Sequence, residues 1–130
     1  MSEILIDTHF LYWWMTADPR LGATAQSLIA SEAVTVSVAS QWEMVLKHRR
    51  GKLPLPDAAL QSEIESQGFR LLPIRPQHVD AVRTLPQGLD DPFDRLMLAT
   101  AIVEGLRLLT RDRALLKFAN QVPGAHVLEA

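Results

Sequence analysis

The sequence predicts a three-layer α/β/α domain with a central parallel sheet. Three observations predict it. Short β-branched or apolar runs alternate with helical patterns along the chain, which is how βαβ units read. Such units imply right-handed crossovers and a sheet covered on both faces. The length of 130 residues fits one domain, residues 1–130, large enough to bury a core without staples. A hydrophobic content of 48% with 22% charge is that of a globular chain, not a disordered one.

The elements follow in order. "EILID" is a short apolar run ending in an acid and reads as a buried strand over 3–7. "HFLYWWMT" has helical spacing, Asp18-Pro19 breaks it, and "LGATAQSLIASE" resumes as a second helix. "AVTVSV" (33–38) is β-branched, a strand. "SQWEMVLKHRR" is a helix with Trp42, Val45 and Leu46 on its apolar face, and Gly51 can stop it in the left-handed conformation. Pro54 and Pro56 hold "KLPLP" extended. Asp57 caps a helix running to about Gln67. "FRLLPI" (69–74) is a strand, and Pro76 opens the short helix "QHVDAVRTL". After the loop "PQGLDD", Pro92 begins an apolar helix that Gly105 ends. "LRLLT" (106–110) is a strand, "DRALLKFA" a helix, and "AHVLEA" a last edge strand.

Composition excludes several classes. With no cysteine there are no disulfides and no thiolate metal sites, which fits a reducing, cytoplasmic setting. "MSEILID" lacks the basic start of a signal peptide, and no apolar run approaches the roughly 20 residues of a membrane span. A net charge of −2 disfavours a globally basic nucleic-acid binder but leaves room for a local basic patch.

The acids carry the chemistry. In open α/β sheets ligands bind beyond the carboxyl ends of the strands. Asp7 closes the first strand and Asp112 follows "LRLLT", so both sit at that edge. Each also reads as an N-cap. Glu43 fits a capping box with Ser40 and an ion pair with Lys47, yet lies near the exit of "VTVSV". Asp91 before Pro92 is a cap. Asp94 instead shares a face with Met97, Leu98 and Ala101, where a carboxylate needs a partner. Asp7, Glu43, Asp94 and Asp112 can therefore face one cleft. Clustered carboxylates call for a cation, and oxygen ligands without His or Cys suit Mg²⁺ or Mn²⁺. Asp7 and Asp94 are the expected metal ligands. Lys47, Arg49, Arg50 and Lys52 form a basic stretch that reads either as RNA phosphate contacts or as a solvated helix end. Tyr12, Trp13 and Trp14 read as core or dimer surface rather than base platforms, and His9, His48, His78 and His126 lack metal-ligand spacing.

"ILIDTHFLYWW", "VSVASQWEMVLKHRRGKLPLP", "DDPFDRLMLATA" and "LLTRDRALLKF", in this order, resemble a PIN-domain protein of the VapC-like toxin type. The resemblance covers nearly the whole chain. It implies a Mg²⁺- or Mn²⁺-dependent endoribonuclease, a cognate VapB-like antitoxin that blocks the site, and a homodimer. It places the acidic site on Asp7, Glu43 and Asp94, with Asp112 as its most variable member. Thr8 and Thr110 match hydroxyl positions flanking that site. Leu89 stands where such proteins often carry His, a departure expected to bear on substrate preference and not on metal binding.

Two other classes compete. A receiver-like phosphate-accepting domain shares the size and layers, but it resembles a layout with paired acids after the first strand and a Lys after the last; here Asp7 is followed by Thr8, and Arg111-Asp112 follows "LLT". A non-catalytic PIN-fold module binding RNA or protein is disfavoured by the presence of all four acids. DNA and RNA are not separable by sequence chemistry here, because no 2′-OH contact is visible.

Overall fold

The computed structural model describes residues 3–52, 54–55 and 59–130. Its elements are β1 (Glu3–Ile6), α1 (Thr8–Met15), a 3₁₀ turn (Pro19–Leu21), α2 (Ala23–Ser31), β2 (Ala33–Ser37), α3 (Val38–Arg49), α4 (Leu60–Ser66), β3 (Arg70–Leu72), α5 (Pro76–Val82), α6 (Pro92–Glu104), β4 (Arg107–Thr110), α7 (Arg113–Ala119) and β5 (Val127–Glu129). The strands pair in the order β3-β2-β1-β4-β5, all parallel, with β5 at an edge.

Strand side chains alternate between two cores. Ile4 and Ile6 join Phe10 and Leu11 of α1, Ile29 of α2, Met44 of α3 and Ile64 of α4. Leu5 and Leu108 join Met97 and Leu98 of α6, and Leu115 and Phe118 of α7. Both faces of the sheet are thus covered, which is why its strands carry apolar side chains on both sides. Each fully buried Leu or Ile contributes about 1.5–3 kcal/mol.

The strand order sets the place for a site. From β1 the sheet grows through β2 to β3; the chain then crosses back and lays β4 on the other side of β1. The direction of growth switches between β1 and β4, and the crevice beyond their carboxyl ends is where open α/β sheets bind ligands. Ile6 lies opposite Leu109, and the Asp7 amide donates to the Leu109 carbonyl (3.2 Å). Asp7 and Thr110 therefore leave the sheet side by side.

Several local expectations are corrected. Helix α3 begins at Val38, one turn of chain before the first polar residues suggested, and its cap is Ser37, whose Oγ accepts from the Ala39 amide (3.0 Å). Ser40 lies inside the helix, so the capping box with Glu43 does not form. Nor do Trp42, Val45 and Leu46 face the core: Trp42 is 55% exposed, and Ala39, Ser40 and Met44 are the buried positions. The helix packs between α1 and α6, so the face it buries is set by where they lie and not by its most apolar stripe. Gly22 (φ 83°) separates the 3₁₀ turn from α2. The expected cap Asp57 lies outside the described residues.

Other signals hold. Gly51 (φ 72°) stops α3, Asp91 caps α6 by accepting from the Phe93 amide (2.8 Å), and Gly105 ends α6 in the left-handed conformation. His78, fully buried, has a structural task. Its Nδ1 accepts from the Arg75 amide (3.1 Å), which leaves the proton on Nε2 to donate to Glu104 (2.7 Å), clamping α5 to α6.

Candidate active site

All four acids read from the sequence line one cleft of about 320 Å³ at the switch point. Asp7 comes from the end of β1, Glu43 from the second turn of α3, Asp94 from the first turn of α6 and Asp112 from the start of α7. The choice between cap and chemistry dissolves for two of them. Asp7 caps α1, with Oδ1 accepting from the Phe10 amide (2.9 Å), and also lines the cleft. Asp112 caps α7, with Oδ1 accepting from the Leu115 amide (2.9 Å), and lines it too. A cap uses part of one oxygen, and the remaining lone pairs face the opening.

Two buried hydroxyls hold the acids in place. Thr110 donates to Asp7 Oδ2 (2.6 Å), while its own Oγ1 accepts from the Asp112 amide (3.1 Å). One threonine thus ties the acid of β1 to the acid after β4. Thr8 donates to Glu43 Oε1 (2.7 Å), and Ser40 Oγ lies 3.0 Å from the same hydroxyl. Lys47, one turn further along α3, reaches Glu43 Oε2 (3.2 Å).

The electrostatics are strained. Burial raises the Asp7 carboxyl above the usual range, against the pull of the Thr110 and Phe10 hydrogen bonds. Asp94 is pushed up to about 7, first by desolvation and then by the charges of Asp91, Asp112, Glu43 and Asp7. Among the described residues no group donates a hydrogen bond to the Asp94 side chain. Asp94 sits over Met97, Leu98 and Ala101, all buried, as the sequence periodicity indicated.

Of the basic stretch, Lys47 and Arg50 line the acidic cleft, Lys52 lines a neighbouring groove, and Arg49 is exposed and lines neither. Leu89 is buried in the core beside Leu98 and does not line the cleft, so an effect on substrate through direct contact has no structural basis. Some participants were not legible in the sequence. Ser40 reads as a cap and turns out to be a buried partner of Thr8. Asp91, read only as a cap, also lines the cleft and adds to the charge on Asp94. Arg95, beside Asp94, donates to the Pro86 (3.0 Å), Leu89 (3.1 Å) and Leu85 (3.4 Å) carbonyls, anchoring the loop that leads into α6. A cation next to the acid of a buried helix was the available signal.

Fold and site together define a class. The PIN-domain model matches residues 4–121, and the chain belongs to the PIN-domain family. It is 32% identical over 119 residues to Ribonuclease VapC22 of Mycobacterium tuberculosis (strain ATCC 25618 / H37Rv), covering 88% of this chain and 91% of that protein. Two solved structures share its fold. VapBC2 from Rickettsia felis, bound to a promoter DNA fragment, superposes with a TM-score of 0.66 at 12% identity, covering 98% of each chain. A toxin–antitoxin complex from Klebsiella pneumoniae gives 0.62 at 22% identity, over 96% of this chain and 95% of that one.

Proposed function

We infer that this chain is a metal-dependent endoribonuclease, the VapC-like toxin of a toxin–antitoxin pair. One observation carries the reading: five carboxylates, Asp7, Glu43, Asp91, Asp94 and Asp112, line a single cleft, and burial together with the neighbouring charges lifts Asp94 to about 7. Relatives named as a ribonuclease and as toxin–antitoxin complexes support it.

The donor set fits a hard divalent ion. The acids offer only oxygens, with His9 the one imidazole in the lining, and among the described residues no three His, Asp or Glu side chains already converge on a metal position. An open arrangement suits Mg²⁺ or Mn²⁺, which keep several waters and use few carboxylates. Asp7 and Asp94 would hold the ion, which when bound acidifies water and offsets phosphate charge.

The chain's own residues do the rest. Thr110 fixes the Asp7 rotamer, and the Phe10 amide holds its other oxygen, so the acid is preorganised. Thr8 and Lys47 hold Glu43 from two sides, leaving it placed to orient the attacking water or to accept its proton. Asp112 completes the negative wall. Arg50 at the cleft margin binds a backbone phosphate of the RNA, and Lys47 partly offsets the acid charge for the incoming strand. A VapB-like antitoxin occluding this cleft, and a homodimer in the cytoplasm, complete the proposal; among the described residues no helix is long and apolar enough to cross a membrane.

The test incubates purified, antitoxin-free protein with structured RNAs and Mn²⁺, Mg²⁺ or EDTA, with Asp94→Asn as control. Metal-dependent cuts lost in the variant support the reading. No cuts, together with no divalent-ion binding by calorimetry, would leave the acids as caps and sink it.

A further inference from the structure

A second groove, about 370 Å³ in volume, opens beside the acidic cleft and shares Thr8, His9 and Lys47 with it. Its remaining walls are Tyr12, Trp13, Arg20 and Lys52. Among the described residues no carboxylate lines it, Arg20 being paired with Asp18 outside the groove (2.7 Å), so the surface passes from a wall of acids to one of cations and rings. The rings are held rigidly. Trp13 is braced by the guanidinium of Arg20 (5.5 Å to the ring centre) and by that of Arg111 (5.6 Å). Arg111 is itself anchored by donating to the Arg20 and Leu21 carbonyls (both 2.6 Å). Tyr12 donates to the Pro54 carbonyl (3.3 Å), which holds Pro54 against α1. His9 is exposed and leans on Trp13 at a tilt, with ring centres 5.7 Å apart and planes 43° apart, so Trp13 supports the imidazole while part of it stays open.

We propose that this groove is a single-stranded RNA subsite, which takes the nucleotide next to the scissile phosphodiester. Its base stacks on the open side of His9, and its phosphate is drawn by Lys52. The inference rests on the nuclease reading of the adjoining cleft. Charge decides the occupant: a polyanion leaving an acidic metal site needs cations directly beyond it, and a flat unpaired base needs a ring backed by a rigid neighbour. Duplex RNA keeps its bases stacked inside the helix and cannot offer one. The sequence grouped His9 with the incidental histidines and Trp13 with core or dimer surface; the bracing of Trp13 gives it a packing role and makes His9 the contacting ring.

The experiment measures binding of fluorescent single-stranded RNA to full-length Asp94→Asn protein in EDTA, over a salt series. His9→Ala and Lys52→Ala are placed in that background, and a blunt-ended RNA duplex is the comparison. His9→Ala should weaken the single strand about fivefold to tenfold and leave the duplex unchanged. Lys52→Ala should lower the slope of log K against log salt by roughly 0.7. A His9→Leu variant, which keeps bulk without an aromatic face, should behave as His9→Ala. Both variants binding like their parent would overturn the subsite while the nuclease reading stands. No RNA binding by the parent itself would overturn both. Loss of affinity for a poly-glutamate peptide with RNA binding intact would assign the groove to a protein partner and also overturn the proposal.

Discussion

The two ends of the sheet treat acids in opposite ways. At the amino end, Glu3 meets Arg70 (2.9 Å) and also accepts from Thr35, and Glu32 meets Arg107 (3.1 Å). Each of these carboxylates has an arginine from a strand one place further along the sheet, Arg70 from β3 and Arg107 from β4. At the carboxyl end, Asp7, Asp94 and Asp112 have hydrogen bonds from helix amides and hydroxyls or none, and among the described residues only Glu43 has an ion-pair partner, Lys47. The difference teaches what each end is for. Paired acids finish a fold. Acids packed together without cations raise one another's pKa, a cost that persists only where an incoming charge relieves it.

The sharpest way to break this contrast is to remove a cleft acid. Asp7→Asn or Asp94→Asn should lower RNA cleavage by at least about a hundredfold, the scale of losing a charge-organising catalytic group. Circular dichroism should show the fold retained. Full activity in both would end the distinction between the two sheet ends. Thr110→Val removes the hydroxyl that donates to Asp7 and accepts from the Asp112 amide, with almost no change of shape. It should cost about 1–2 kcal/mol in denaturant melts, since a buried acceptor is left unmet. It should also weaken Mn²⁺ binding by about tenfold. Because the lost hydrogen bond favours the charged form of Asp7, the acidic limb of the pH–activity profile should move to higher pH.

The third prediction concerns stability and runs against intuition. Burial and the neighbouring acids push the Asp94 carboxyl up to about 7 in the fold from its ordinary 3.8, so the folded state binds more protons between those values. Stability of the metal-free protein therefore falls as pH rises through that window. Asp94→Asn should stabilise it at pH 8 by about 1–2 kcal/mol, after discounting for partial solvent exposure, and by nearly nothing at pH 3.5. Equal melts of the two proteins at both pH values would show that Asp94 is not strained. The smallest effect belongs to the amino end. Glu3→Gln breaks a half-exposed pair and should cost under about 1 kcal/mol at neutral pH, less at high salt.

Much of the fold was legible because its signals are local. Asp91-Pro92 starts α6, Gly105 ends it, and Gly51 ends α3, each by backbone geometry that a few adjacent residues impose. The start of α3 was misread because Ser37 and Ser40 are equally good caps in isolation; the helix starts at the first because β2 must end beside Asp7 and Leu72. Its buried face was misread for a related reason. Trp42 is the largest apolar residue of the helix, yet it stays 55% exposed, edge-on to Phe93 in the first turn of α6 (ring centres 5.8 Å apart), while Met44 takes the buried side.

The sequence by itself determined the alternation of strands and helices, the acids at the strand exits, and the apolar face that makes Asp94 anomalous. These follow from periodicity and capping, which act over a few residues. Only the tertiary structure decided that Asp7 and Asp112 share Thr110, that Thr8 reaches Glu43, that Arg49 and Leu89 stay out of the cleft, and that a groove of cations and rings adjoins it. Those facts depend on parallel register and on where β4 inserts beside β1. Register is set by the whole sheet packing against two helical layers at once, and no single stretch of chain contains that information.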